Sequence, residues 1–249
     1  MEADLKIFES VDSTNIKLKE YADDGAREGT CVVAFYQSAG QGRSGRTFFS
    51  PEGGNLYMSL LLRPGSDDVF GMITTMAAVA VCDSIKDMFG IDTGIKWVND
   101  IILGGRKVCG IVAQAHNVGT DERYVILGIG INIYDATDVP DDIAGIYGSI
   151  TGKRCDTDKQ EAQSRAVRLA SHITQRFSDL YGSDDIYGHI EKYRKRCIFI
   201  GENIRYISGD KEVTAKCVGI DDLGGIILER GGNRLVYRDG EIRIRSLDL

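Results

Sequence analysis

Apolar residues recur along this chain at two different spacings, and the change from one to the other divides it. Across 16–22, within 67–90 and at positions 162, 166, 169, 173, 177 and 180 they return every three to four residues. That is the period of a helix with one buried face. Helices are therefore predicted over 11–25, 67–90 and 159–181, with a further helical pattern at 186, 190 and 193. The first is preceded by Asp12-Ser13-Thr14-Asn15, all residue types suited to a helix N-cap. Short apolar, β-rich runs at 31–36 and 55–63 predict buried strands. Two more, 94–103 and 107–115, meet at Gly104-Gly105, a strong hairpin signal. The run 124–133, YVILGIGINI, is apolar almost throughout but holds Gly128 and Gly130. Glycine inside a strand often marks the close approach of a ligand or of another backbone.

After Cys197 helical spacing gives way to alternation: 204/206, 213/215/217, 226/228, 235/237 and 242/244. The turn sequences SGD, DDLGG, RGGN and RDG separate these runs. Short strands of this kind predict a small β-barrel or sandwich. The expected domains are 1–195 and 196–249, with no internal repeat.

Composition narrows the classes. The 249 residues include 43% hydrophobic and 27% charged positions, enough apolar mass to exclude disorder of the whole chain. Thirty basic against 37 acidic residues leave a net charge of −7, which disfavours long-range attraction to nucleic acid or anionic lipid. The longest nearly apolar stretch, 72–82, is short for a bilayer span, and the N-terminus lacks the pattern of a signal peptide. Six scattered cysteines without a CxxC pair suggest reduced, mostly buried thiols and a cytoplasmic protein.

Three clusters carry candidate chemistry. The glycine-rich loop 37–54 contains GQGRSGR, whose glycines let backbone approach an anion while Arg43 and Arg46 offer fork-shaped donors; a solvated turn has the same composition. In Lys96-Trp97-Val98-Asn99-Asp100, strand alternation places Lys96, Val98 and Asp100 on one face and Trp97 and Asn99 on the other. The following hairpin returns Lys107, with small Gly110 behind it, either into a pocket or toward solvent. Asn132, at the end of GIGIN, could present its amide to a ligand that the glycines admit. Histidines 116, 172 and 189 lie in separate segments and receive no catalytic or metal role, and the basic run 192–196 reads as a solvated helix end.

Taken in order, Ser13-Thr14-Asn15, Gln37 leading into GQGRSGR, KWVND, RKVCGI, GIGIN and the β-rich tail resemble the biotin protein ligase family over nearly the whole chain. The resemblance implies an α+β fold, a mixed central β-sheet with flanking helices, followed by a small C-terminal SH3-like β-barrel. It implies ATP-dependent formation of biotinyl-5′-AMP, then transfer of the biotinyl group to one lysine of a biotin carboxyl carrier protein, with Mg²⁺ assisting. By the same resemblance, biotin is bound by Ser13, Thr14, Asn15, Gln37, Gln41, Gly42, Arg43, Lys107 and Gly110. ATP and the adenylate fall to Arg43, Arg46, Phe48, Asn99, Asp100, Lys107 and Asn132, with Phe48 covering the adenine. Lys107 and Arg43 are the catalytic pair, and Asp100 is the carboxylate for magnesium. Two departures stand out: Gln41 replaces the usual Arg, removing a charge from the loop, and Val98 replaces the usual Pro. Only 12 residues precede Ser13, too few for a DNA-reading domain, so a monofunctional ligase, in some members a homodimer, is expected. Loop 37–52 is expected to be disordered without ligand. The rival readings are a lipoate or octanoate ligase of the same superfamily, whose Arg-Arg-x-x-Gly-Gly-Gly motif is absent, and a non-catalytic biotin-binding regulator.

Overall fold

The computed structural model describes residues 1, 3–120, 122–209, 211–238 and 241–245. Its centre is a seven-stranded mixed sheet in the order β1-β2-β3-β7-β6-β5-β4, formed by Asp4–Phe8, Thr30–Ala34, Leu56–Leu62, Tyr124–Ile131, Arg106–His116, Asp100–Leu103 and Gly94–Lys96. Only the β1–β2 pair is parallel. Strand alternation sorts the sheet into two faces. Met58, Leu60, Leu127, Ile129, Ile131, Cys109 and Ile111 face the main core, which is covered by α2 (Asp67–Phe89) and α4 (Lys159–Tyr181). α2 is long and apolar enough to cross a membrane, yet most of it is buried inside the fold as a core helix. It starts at Ser66, whose hydroxyl accepts from Val69 N, and stops at Gly90 with φ +70.

On the opposite face, Val32, Leu61, Tyr124 and Ile126 pack under α1 (Thr14–Asp23). Farther along β7 that face changes from large side chains to Gly128 and Gly130, which opens a trough beside the helix. The helix packs on β2, β3 and β7, and beside it Phe48 of the loop lies over Gly110 and Gly130.

The predicted hairpin at Gly104-Gly105 is present, with φ +55 and +77, the positive pair that the tightest hairpin turns need. One alternation expectation is overturned. Residues 96–100 do not run as a single strand: β4 ends at Lys96, the chain turns through Trp97-Val98-Asn99, and β5 starts at Asp100. Lys96 and Asp100 thereby become direct cross-strand partners. The turn forms because its side chains find anchors elsewhere, Trp97 on Gly224 and Asn99 on Ile111, which local alternation could not reveal. The helical pattern over 183–196 is realised only as α5 (Ile190–Arg196), because Ser183 and Asp185 side chains capture nearby backbone N–H groups. Strand β1 and the short helix α3 (Asp141–Ala144) were not anticipated.

Beyond residue 200 a five-stranded antiparallel sheet in the order β11-β10-β9-β8-β12 forms the small C-terminal module, consistent with an SH3-like domain. Its strands are Asn203–Ser208, Lys211–Ile220, Ile226–Arg230, Asn233–Tyr237 and Arg243–Arg245. The predicted turns at 208–210 and 238–240 fall partly outside the described residues.

Candidate active site

The trough runs along β6 and β7, with a polar end beneath α1 and a charged end beside the β4–β5 turn. At the polar end Gln37 Oε1 accepts from Thr14 N at 2.8 Å and from Thr14 Oγ1 at 3.1 Å, so it satisfies one of the free N–H groups that open α1. Gln37 Nε2 donates to Ser50 Oγ at 2.8 Å. Ser59, on β3, lies 2.8 Å from Thr14 Oγ1 and 2.6 Å from Asn15 Oδ1, and Asn15 Nδ2 donates to Gln114 Oε1 at 2.9 Å. Ser13, Thr14, Asn15, Gln37 and Ser59 are all buried. Thr14, Asn15, Gln37 and Ser59 form a connected cluster of hydroxyls and amides that offers both donors and acceptors.

The floor is made of paired glycines. Gly110 on β6 faces Gly130 on β7, and Val112 faces Gly128. A methyl group on Gly128 would lie 2.4 Å from Asn15 Oδ1, and one on Gly130 would lie 2.3 Å from the Phe48 ring. The Phe48 ring therefore rests on the Gly110–Gly130 pair, edge-on to Tyr57 at 6.4 Å between ring centres. Its loop is folded: Gln41 bridges Thr47, Gly42 N donates to Arg46 O at 2.7 Å and Phe48 N to Gly40 O at 2.8 Å. A cavity of about 550 Å³ lies between the loop residues 39–47, including Gln41, Gly42, Arg43 and Arg46, and Val112–Gln114 of β6.

At the charged end Lys107 Nζ is 2.6 Å from Asp100 Oδ1 and 5.7 Å from the centre of the Phe48 ring. Plain alternation would aim Lys107 away from the face that Gly110 lines. Between β5 and β6, however, Ile101 pairs with Cys109 and Ile102 with Lys107, so Val108 is an extra residue in β6. This bulge turns Lys107 back, and its Nζ comes within 3.0 Å of where a Gly110 methyl would sit. Burial lowers the Lys96 ammonium below its ordinary range, with Asp100 opposing the shift and Lys107 adding to it. Arg43 reaches from the loop to donate to Asn99 Oδ1 at 2.8 Å, while Asn99 Nδ2 donates to Ile111 O at 2.9 Å. Asn132 is buried; its Nδ2 donates to Gly148 O at 2.9 Å, but its Oδ1 has no partner among the described residues. Asp100 Oδ1 is also buried, and its contact with Lys107 lacks hydrogen-bond geometry. Among the described residues no group of three or more His, Cys, Asp or Glu side chains could hold a metal.

Gly110, Gly128 and Gly130 line the trough, Lys107 and Asp100 lie at one end, Thr14 and Asn15 of α1 with Gln37 lie at the other, and Arg43 and Phe48 reach in from the loop, whereas Trp97, Cys109, Ile111, Ile129 and Ile131 of the same motifs face the main core. Arg46 is exposed on the loop. Sequence reasoning missed Ser59, Ser50 and Gln114. Ser59 had a signal, as a small polar residue in the apolar run LYMSLLL, and Gln114 another, the next step of alternation after Gly110 and Val112.

Comparison with known proteins decides the family. The model of the biotin/lipoate A/B protein ligase family matches residues 7–132, and that of the biotin protein ligase C-terminal domain matches 199–245. The bifunctional ligase/repressor BirA of Bacillus subtilis is 35% identical over 90% of this chain and 69% of its own. The chain belongs to the biotin/lipoate A/B protein ligase family. Another relative, the biotin–[acetyl-CoA-carboxylase] ligase of Paracoccus denitrificans, is 31% identical over 93% of this chain and 96% of its own. The fold matches the biotin protein ligase of Aquifex aeolicus in complex with biotin and ATP, with a TM-score of 0.78 and 26% identity over 98% of this chain and 99% of that one. In this ligase the trough, the loop and the Lys107–Asp100 pair all fall inside the matched segment.

Proposed function

We propose that this ligase activates biotin with ATP and transfers the biotinyl group to a lysine on the carrier domain of acetyl-CoA carboxylase. The observation that carries the reading is the layout of the trough, with an amide and hydroxyl cluster at one end, glycines along the floor and Lys107 with Asp100 at the other. Biotin has a ureido ring that presents two N–H donors and one carbonyl, an apolar thioether ring and chain, and a carboxylate. Thr14, Asn15, Gln37 and the buried hydroxyls would pair the ureido group, since each polar group left unpaired costs about 1–3 kcal/mol. Ser13 and Gly42 contribute backbone, Gln41 borders the cavity, and Gly110 admits the ring system once Phe48 lifts from the floor to lie over the adenine.

In the first half-reaction a carboxylate oxygen attacks the α-phosphorus of ATP; the bond to the bridging oxygen breaks and pyrophosphate leaves. The enzyme's task is alignment and neutralisation of charge. Lys107 sits where it can touch both carboxylate and α-phosphate, and Arg43 and Arg46 close over the phosphates from the loop. The buried Asn132 Oδ1 suits a donor such as the adenine amino group, and Asn99, next to Asp100, would border the same nucleotide side. In the second half-reaction the carrier's amine attacks the acyl carbon of the adenylate, AMP leaves, and the amine's proton is lost. Asp100 suits magnesium: magnesium commonly takes one or two protein carboxylates plus substrate phosphates, and the Asp100 Oδ1 lone pairs are not fully used. When bound, the ion would withdraw charge from the phosphates. We place the enzyme in the cytoplasm, in keeping with its six free cysteines.

The test is to incubate the protein with ATP, Mg²⁺, biotin and an apo carrier domain and follow the carrier's intact mass. A biotinyl increment that requires both ATP and biotin supports the reading. An increment only with lipoate or octanoate in place of biotin moves the chain to the other branch of its family.

A further inference from the structure

The turn that brings Asn99 and Asp100 to the site is held from behind by the C-terminal module. Trp97 is 7% exposed, and its indole Nε1 donates to the Gly224 carbonyl at 2.9 Å, between residues 127 positions apart. The segment that supplies this carbonyl is itself tightly built. Asp221 Oδ1 accepts from Leu223 N at 3.0 Å, from Gly225 N at 2.7 Å and from Arg238 at 2.7 Å. Gly224 has φ +80, and a methyl group there would meet Thr75 Cγ2 of α2 at 2.9 Å, so the turn is wedged against the catalytic domain. On the near side Tyr193 Oη, from α5, donates to Val98 O at 3.1 Å. The linker pairs with β4 through Ile198 N and Ile95 O at 3.0 Å. Ahead of Trp97 lies Lys96, and two residues behind it Asn99 Oδ1 accepts from Arg43, Asn99 O accepts from Ile111 N and Asn99 Nδ2 donates to Ile111 O.

We propose that Trp97 is a positioning residue, through which the Asp221–Gly225 turn of the C-terminal module sets the placement of Asn99 and Asp100 on the nucleotide side of the site. This rests on the function proposed above for the assignment of that side to ATP. Removing the indole N–H strands the Gly224 carbonyl in a buried place, and the turn between β4 and β5 loses a side-chain tie that reaches the module. The polar end of the trough is carried by α1, β3, the loop residues Gln37 and Ser50, and Gln114 at the far end of β6, none of which the Trp97 indole bond ties down. A loosened turn should therefore weaken ATP handling and spare biotin binding, whereas general loss of stability would affect both.

Trp97→Phe retains an apolar ring without the donor, and Leu228→Val, in the buried core of the C-terminal sheet, is the control for stability alone. Hydrogen exchange read by mass spectrometry needs no activity: faster exchange in peptides spanning 96–111 of Trp97→Phe, with 30–37 and 56–62 unchanged, is expected. In biotin-dependent pyrophosphate exchange the KM for ATP should rise about tenfold, the equivalent of one buried hydrogen bond, with the biotin Kd by calorimetry within about twofold of native. Leu228→Val should lower the melting temperature and leave both constants in place. Native-like exchange at 96–111 in Trp97→Phe overturns the proposal, as does a parallel loss of biotin and ATP binding that tracks melting temperature in both variants. A native protein without any biotin-dependent exchange defeats the functional reading instead, and the hydrogen-exchange result still decides the coupling.

Discussion

Gly128→Ala isolates the polar end of the trough with a single carbon atom. Gly128 is outside the left-handed region of backbone space, so alanine costs nothing in conformation and acts by volume alone. The added methyl would start 2.4 Å from Asn15 Oδ1 and 3.0 Å from Val112 Cγ1. An ordinary contact needs about 3.4 Å or more, so Asn15 must retreat by about 1 Å. That movement breaks its 2.6 Å contact with Ser59 and strains the 2.9 Å bond to Gln114. Two compromised hydrogen bonds at a buried site amount to about 3 kcal/mol, or about a hundredfold in biotin affinity. Isothermal titration with biotin reads the affinity, and thermal unfolding shows that the variant remains folded. A folded Gly128→Ala that binds biotin with native affinity would refute the assignment of this end of the trough to the ureido group.

Gly40→Ala should cripple the loop, because its methyl would meet Phe48 O and Ser50 Oγ, both at 2.5 Å, and one of these is backbone that cannot swing aside; biotin-dependent carrier labelling should fall at least tenfold, about the effect of one lost buried bond. Gln41→Arg restores a loop charge at the mouth of the cavity, and the dissociation rate of biotinyl-5′-AMP measured by stopped flow should slow, with no slowing counting against a role for this position in retention. Burial pushes the His189 imidazole down from 6.5 to about 4, against the opposing pull of the Ile186 carbonyl and Asp185. The folded state thus takes up its proton at lower pH than the unfolded chain, so the stabilisation is complete above about 6.5 and is lost as pH falls toward 4, by about 3 kcal/mol at most. Melting temperatures between pH 7 and 4 should fall more steeply for the native protein than for His189→Gln.

How much of this was legible in the sequence differs from element to element. The helices α1, α2 and α4 and most strands follow from apolar spacing, because each buries one face and period is a local property. Strand β1 did not, since DLKIF is short and its pairing with β2 is parallel and remote in sequence. The motif residues were visible as a set, but their geometry was not. Whether Lys107 enters a pocket or faces solvent stayed open in the sequence, because one inserted residue, Val108, sets its face. Alternation misreads 96–100 as a strand, because the turn there is stabilised by Gly224 and Tyr193, far away along the chain. Ser59 and Gln114 belong to no motif, and their tie to the site is the Asn15 side chain that bonds both.

The central claim, that adenylation of biotin takes place at Lys107, is tested most directly by exchange of ³²P-pyrophosphate into ATP, with the native protein and Lys107→Ala side by side. The account predicts exchange that requires biotin, is not supported by lipoate and falls by orders of magnitude in the variant while biotin still binds. Equal exchange in both proteins would contradict the placement of the chemistry at Lys107, and exchange that runs without biotin would contradict biotin as the group activated.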